Sequence, residues 1–266
     1  MLASEFSLLF RRRRTKVLLV LLFLAPWLMG YLIFQFGGGN GGHGPNFVSM
    51  VTHNAVFLVL ASSSSLLPLL FPLAVSLIAS DSIAGEASLG TLRYLLIAPV
   101  SRFKLLISKL LIALVFVLVI NVGVAVSGLV AGMVFFPMGR VLLLSGQTTS
   151  FAHGVILVFL ASLLISVSLV SVVGIGLAIS TFTDIPVGAT LGALGVVILS
   201  EILSNITQVR GIWPLLPTNY WMSFSDLFRV PIPLGRIEKD FINQGIWLAF
   251  AFSLALARFQ SKDITS

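Results

Sequence analysis

Six apolar runs decide what this chain can fold into. Crossing about 30 Å of hydrocarbon takes about 20 helical residues. The runs that meet or approach that length lie at about 17–36, 56–80, 105–136, 153–181, 185–206 and 241–258. In lipid every backbone N–H and C=O must find its partner inside the protein, and a helix achieves this within one segment. The chain is therefore expected to be an all-α integral membrane protein of six transmembrane helices, a single domain over 1–266. Composition agrees, with 58% hydrophobic residues, 9% charged and a mean hydropathy of +1.09. A soluble domain carries about 25% charged residues. The third and fourth runs exceed what a crossing needs, so they should tilt, bend or protrude. Pro26, Pro68 and Pro72 fall inside apolar runs and predict kinks in the first two spans.

The bases set an expected orientation. With six spans both termini share one side. That side collects Arg11, Arg12, Arg13, Arg14, Lys16, Arg93, Arg102, Lys104, Lys109, Arg258 and Lys262, while the other receives Arg140, Arg210, Arg229, Arg236 and Lys239. Eleven against five predicts that both termini and the loop after the second span are cytoplasmic. The net charge of +7 reflects bases beside apolar spans facing an anionic membrane surface, not a nucleic-acid patch with interleaved aromatics. No A-x-A-like cleavage site follows the first run, so it reads as an uncleaved span. Before it, Leu2, Phe6, Leu9 and Phe10 form an apolar stripe at helical spacing. Residues 1–16 are thus expected to form a short amphipathic helix on the inner membrane surface, the other reading being an inward extension of the first span.

Several chemistries are excluded. There is no cysteine, hence no disulfide framework, thiolate metal site or cysteine nucleophile. No G-x-x-x-x-G-K-[ST] loop occurs, so ATP cannot be held in that mode, and neither H-E-x-x-H nor G-x-S-x-G is present. His43, Met50 and His53 share the first outer loop, where a solvated turn accounts for them. Ion-driven carriers need intramembrane acids. The one strong candidate is Glu201, about 7 Å from the outer end of the fifth span at 1.5 Å per residue. A structural or gating role and an ion-coupling role both remain open for it.

Residues 81–109 combine acids and bases within otherwise apolar surroundings. Asp81 and Glu86 come first, then Gly90 and Thr91, then Pro99, with Arg93, Arg102, Lys104 and Lys109 interspersed. Hydrocarbon would reject such a segment, so it lies at a membrane surface or docks on another protein. Glu86 to Leu96 is compatible with a short amphipathic helix presenting Leu89, Leu92, Leu95 and Leu96. Pro99 stops it, and Ser101 is the expected N-cap of the helix that continues into the third span. The outcome is a rigid cytoplasmic lever over 81–104, braced by spans at both ends.

Glu86, then Gly90, Thr91 and Leu92, then Pro99, Val100, Ser101 and Arg102, with Lys109 behind them, resemble the loop between spans two and three in the type-2 family of ABC transporter permeases, the exporter-type membrane subunits. The turn at 216–220 (LPTNY) and the charged tail from Arg258 to Asp263 are similar to that family as well. The resemblance implies a dimer with a second permease copy or paralogue, each docked through its coupling helix on a separate ABC ATPase subunit. It implies no catalysis and no cofactor in this chain, with ATP and Mg in the partner. Asp81, Glu86, Gly90, Thr91, Leu92, Arg93, Pro99, Ser101 and Arg102 would form the ATPase-coupling element. It also implies that 207–240 forms a re-entrant outer segment, and that the protein sits in the plasma or inner membrane of a prokaryotic cell.

Other features decide less. Gly188, Gly192 and Gly195 line one face of the fifth span and serve either the dimer or packing within one subunit. Ser62 and Ser65 in the second span, and Asn121 with Ser127 in the third, either line a path or bond backbone carbonyls. The function expected is export of a hydrophobic or amphipathic substrate, a drug, antibiotic or lipid-like molecule. The alternatives are a self-contained ion-coupled carrier or channel using Glu201, and a membrane assembly or maturation factor.

Overall fold

Hydropathy and proline placement account for most of the helices. A computed structural model of the chain describes residues 10–36, 50–90 and 101–261. Its elements are α1 (Arg13–Phe36), α2 (Val56–Leu66), α3 (Leu70–Asp81), α4 (Ala84–Ser88), α5 (Arg102–Phe135), α6 (Phe151–Ser168), α7 (Val170–Phe182), α8 (Pro186–Ser204) and α9 (Leu234–Ser261). Two 3₁₀ segments, Thr207–Leu215 and Trp221–Phe228, separate α8 from α9. Five helices, counting α6 and α7 as one over Phe151–Phe182, are long and apolar enough to cross a membrane. The pair α2 and α3 makes a sixth span bent by 59°. The protein is thus a multi-pass membrane protein.

The bend in the second span follows from its prolines. Pro68 withholds the N–H that Ser64 would accept, and Pro72 withholds the one that Pro68 would accept. Two rungs four residues apart are lost and the helix breaks at 67–69. Pro26 costs α1 only one rung, and α1 runs through it as a single helix. At 34 residues, α5 is about 50 Å long, well beyond the hydrocarbon thickness. The expected surface helix over 1–16 lies largely outside the described residues, but from Arg13 onward the chain already belongs to α1.

Three features differ from the sequence reading. The fourth span is interrupted at Leu169, where the backbone N–H of Ser171 leaves its own helix and donates to the Gln244 side chain at 3.2 Å. The helix that carries the sixth span begins at Leu234, seven residues before the expected apolar run. Its first two turns carry Arg236, Glu238, Lys239 and Asp240, and a hydropathy count stops at such residues. Between α5 and α6 the chain forms a small antiparallel hairpin with Val141 opposite Thr149 and Leu142 opposite Thr148, an exception to an all-α fold. Gly146 closes it at φ +83°, a conformation that favours glycine.

Two groups of buried side chains hold the bundle together. The larger joins α1, α2, α3, α5, α6 and the second 3₁₀ segment around Phe57, Phe71, Phe116, Phe224 and Phe228. The smaller joins α5, α7, α8 and α9 around Leu106, Leu177, Ala193, Ala255 and Phe259. Helices approach closely at several glycines, among them Gly123 against Phe23 and Gly176 against Ala79. A Cβ on Gly132 of α5 would lie 2.4 Å from the carbonyl oxygen of Ala55, so only glycine lets α5 pass the start of α2. Apolar side chains such as Leu21, Leu28, Leu191 and Phe250 stay exposed, as a lipid-facing surface requires.

Candidate functional site

The acids and bases singled out in the sequence converge at one end of the bundle. The second span ends at Asp81. After a one-turn break α4 begins at Ala84 and stops at Ser88, with Leu89 as its C-cap. This helix begins two residues before Glu86; of the helix expected over Glu86 to Leu96, residues 91–96 lie outside the described residues. Gly90 follows at φ +68°, and its N–H donates to the carbonyl of Ala87 at 3.0 Å. A left-handed residue just past a helix end reverses the chain while satisfying the last carbonyls, and glycine adopts it without steric cost. The acid-to-glycine spacing thus has a local cause. Glu86 lies in the first turn of α4, where the helix dipole favours an acid.

Ion pairs fix α4 in place. Lys109 on α5 pairs with Glu86, and the Lys109 side chain is only 5% exposed. Burying an ammonium that deeply requires a partner carboxylate, so this pair sets the distance between α4 and the third span. Arg12, just before α1, pairs with Asp81 at the end of α3. Asp81 also covers Gly85, where an added Cβ would lie 2.4 Å from its Oδ1. Beneath α4, Ile83 is buried with Leu105, Leu106 and Phe259.

Ser101 is the N-cap of α5, its hydroxyl accepting from the N–H of Lys104 at 3.3 Å. Arg102 has a structural task. Its guanidinium donates to the carbonyl oxygens of Phe259 and Gln260 at 2.7 and 2.9 Å and lies 5.9 Å from the Phe259 ring. A cation at the C-terminus of α9 meets the negative end of the helix dipole, so Arg102 ties the start of the third span to the end of the sixth. Thr91, Leu92, Arg93 and Pro99 lie outside the described residues. What remains is a short exposed ridge, Ser88 to Gly90, mounted on a braced turn, with Leu89 73% exposed at its crest.

At the opposite end, Glu201 is half-buried near the last turn of α8. Beside it, the hydroxyls of Ser200 and Thr218 share a hydrogen bond of 2.7 Å. Glu201 lines a cavity of about 240 Å³ with Pro68, Trp213, Thr218 and Trp221, set against the break in the second span. The serines bond backbone carbonyls, and Asn121 does so through its Nδ2 while its Oδ1 is buried without a hydrogen-bond partner. Ser62 and Ser65 donate to the carbonyls of Leu58 and Ala61 at 2.7 and 2.9 Å. Asn121 donates to Val117 at 2.9 Å, and Ser127 to Phe23 of α1 at 2.5 Å. Gly188, Gly192 and Gly195 all face outward. Only Gly192 would press a neighbour, Ile179, at 3.3 Å, so packing within the subunit leaves this stripe largely uncovered.

Sequence reasoning missed a buried polar cluster between these ends. Asp240 is fully buried. It accepts hydrogen bonds from Ser168 at 2.5 Å, Ser223 at 3.1 Å and Gln244 at 3.2 Å. Gln244 also donates to the carbonyl of Pro217 at 2.8 Å. Asn243 and Trp247 donate to the carbonyls of Pro214 and Leu215, each at 2.8 Å. One stretch of α9 thereby satisfies the carbonyls of Pro214, Leu215 and Pro217 and the N–H of Ser171 at the break by Leu169, as buried polar groups require. The spacing of Asp240, Gln244 and Trp247 on one helical face was the available signal. It was hidden by placing Asp240 outside the last span.

Among the described residues no group of three or more His, Asp or Glu side chains could hold a metal ion. Residues 2–186 match the model of a family described as ABC-2 family transporter protein. The match takes in α1 to α7 and the whole ridge. No curated protein matches the chain.

Proposed function

The chain belongs to the ABC-2 transporter family, and on that premise we propose that it is the membrane-spanning, non-catalytic permease subunit of an ATP-driven exporter. Two copies, or one copy with a paralogue, pair in the membrane, and each docks a separate ABC ATPase subunit. The cargo is hydrophobic or amphipathic, a drug, antibiotic or lipid-like molecule. The base asymmetry supports cytoplasmic termini and a cytoplasmic ridge.

One observation carries this reading. Pairing the 5% exposed Lys109 with Glu86 makes the exposed ridge a rigid projection of the third span. Arg102 extends the same rigidity to the sixth span, through the carbonyls of Phe259 and Gln260. A push on Leu89 is therefore delivered to at least two spans as displacement and is not absorbed by a floppy loop. Motion at the far end then acts on the break in the second span and on the cavity holding Glu201, which serves as a gate among Trp213 and Trp221. The segment 207–228 dips back as a lid over that cavity, held by Asn243, Gln244 and Trp247. Gly188, Gly192 and Gly195 give the second copy a surface of close approach.

Affinity purification of the tagged full-length chain from mild detergent tests the assignment. A stoichiometric ATP-binding subunit is the expected companion. Transport by the chain alone in proteoliposomes, abolished by Glu201→Gln, would instead establish the ion-coupled carrier.

A further inference from the structure

The ridge itself, through Ser88 and Leu89, lines a cleft of about 560 Å³ together with Arg12, Arg13 and Arg14, Asp81 and Gly85, and Pro186 and Val187 of α8. Asp81 is engaged by Arg12. Arg13 and Arg14 have no acidic partner among the described residues, so the mouth of the cleft carries an uncompensated double positive charge. A narrower slot of about 140 Å³ shares Arg14, Asp81 and Val187 with it and continues between α3 and α8, walled by Leu77, Thr190 and Leu191. From Val187 to Leu191 the slot climbs one helical turn, about 6 Å along the span. Val187 and Leu191 are 64% and 62% exposed. Charge at the level where the spans end, followed by an apolar channel leading into the hydrocarbon, matches one kind of molecule.

We propose that this cleft binds a single anionic phospholipid, its phosphate on Arg13 and Arg14 and one acyl chain along Leu77, Val187 and Leu191. The bound lipid fills the space between the start of α1, the end of α3 and the start of α8. It thereby wedges the ridge against the fifth span. A soluble partner protein could reach the arginines but not the slot beyond them, since Thr190 and Leu191 belong to a membrane-crossing helix. The site requires only that this end of the spans meet lipid headgroups, and so holds for either orientation of the chain.

Native mass spectrometry of the full-length chain, delipidated in detergent and titrated with phosphatidylglycerol or phosphatidylcholine, tests the assignment. Wild type is expected to retain one phosphatidylglycerol much more tightly than phosphatidylcholine. At about 1 kcal/mol per base near an anionic headgroup, Arg13→Gln with Arg14→Gln should weaken that adduct on the order of thirtyfold. Arg14→Gln alone should weaken it by about fivefold. Val187→Trp keeps both charges and blocks the slot, so it should lower retention of phosphatidylglycerol; it serves where the double variant aggregates. Equal retention of the two lipids by wild type would overturn the proposal. So would competition by inorganic phosphate as effective as that by the lipid, which would mark a plain anion site. Arginine variants that keep the lipid but lose a co-purifying ATPase would assign the cleft to a protein partner instead.

Discussion

Glu86 and Lys109 show how one residue pair can be both a motif and a structural necessity. Removing Glu86 leaves an ammonium that is 5% exposed without its counter-charge, and breaking a buried pair from one side costs about 3 kcal/mol or more. Glu86→Ala should therefore lower thermal stability in detergent as well as transport. Adding Lys109→Met should restore most of the stability but not the transport, because the ridge loses its fixed distance from α5. Recovery of both would reduce the pair to a packing device. Asp240 makes a comparable prediction. Three donors converge on its carboxylate, so Asp240→Ala strands several buried polar groups at about 1–3 kcal/mol each. Asp240→Asn keeps the shape and part of the bonding, and should be the milder variant in a thermal unfolding series. The sequence made the first site legible and not the second. Glu86 stands in a segment that lipid rejects, whereas Asp240 sits at the edge of a run where a charge reads as loop.

Helices were legible in proportion to their hydropathy. α1, α5 and α8 begin and end within a few residues of the expected spans, since nothing but burial in lipid dictates them. Pro68 and Pro72 announced the break in the second span because proline acts locally. The interruption at Leu169 was not announced, because it is stabilised from another helix by Gln244, and tertiary hydrogen bonds leave no local trace. The same limit hid the start of α9. Glycine presents a related case. Gly188, Gly192 and Gly195 drew attention through their spacing, yet the crossing closed by backbone belongs to Gly132, where an added Cβ would lie 2.4 Å from the Ala55 carbonyl oxygen. Gly132→Val should force α5 off α2 at about 1–3 kcal/mol or more, whereas Gly195→Val meets no atom within 4 Å. Melting temperatures of the two variants in detergent should separate clearly. Equal values would contradict the assigned crossing.

For the whole molecule, the two ends of the bundle have different chemistry. One end gathers ion pairs around a short exposed ridge. The other gathers hydrogen bonds, aromatics and a carboxylate around a cavity and a broken span, with its own ion pairs from Arg229 and Arg236 to the buried Asp226. α5 and α9 run between them, joined at the ridge end by Arg102 and reaching the hairpin and the 3₁₀ segments at the other. Such an arrangement suits transmission from a motor to a gate. Because the chain has no cysteine, a single thiol can report on the ridge without background. Leu89→Cys places it at the most exposed point of the ridge. The most direct measurement is photo-crosslinking from that thiol in native membranes, with the captured species identified by mass spectrometry. The account predicts an adduct with an ATP-binding subunit, and no reaction of the same thiol with a membrane-impermeant maleimide applied to intact cells. Labelling from outside the cell, with no such adduct, would contradict it.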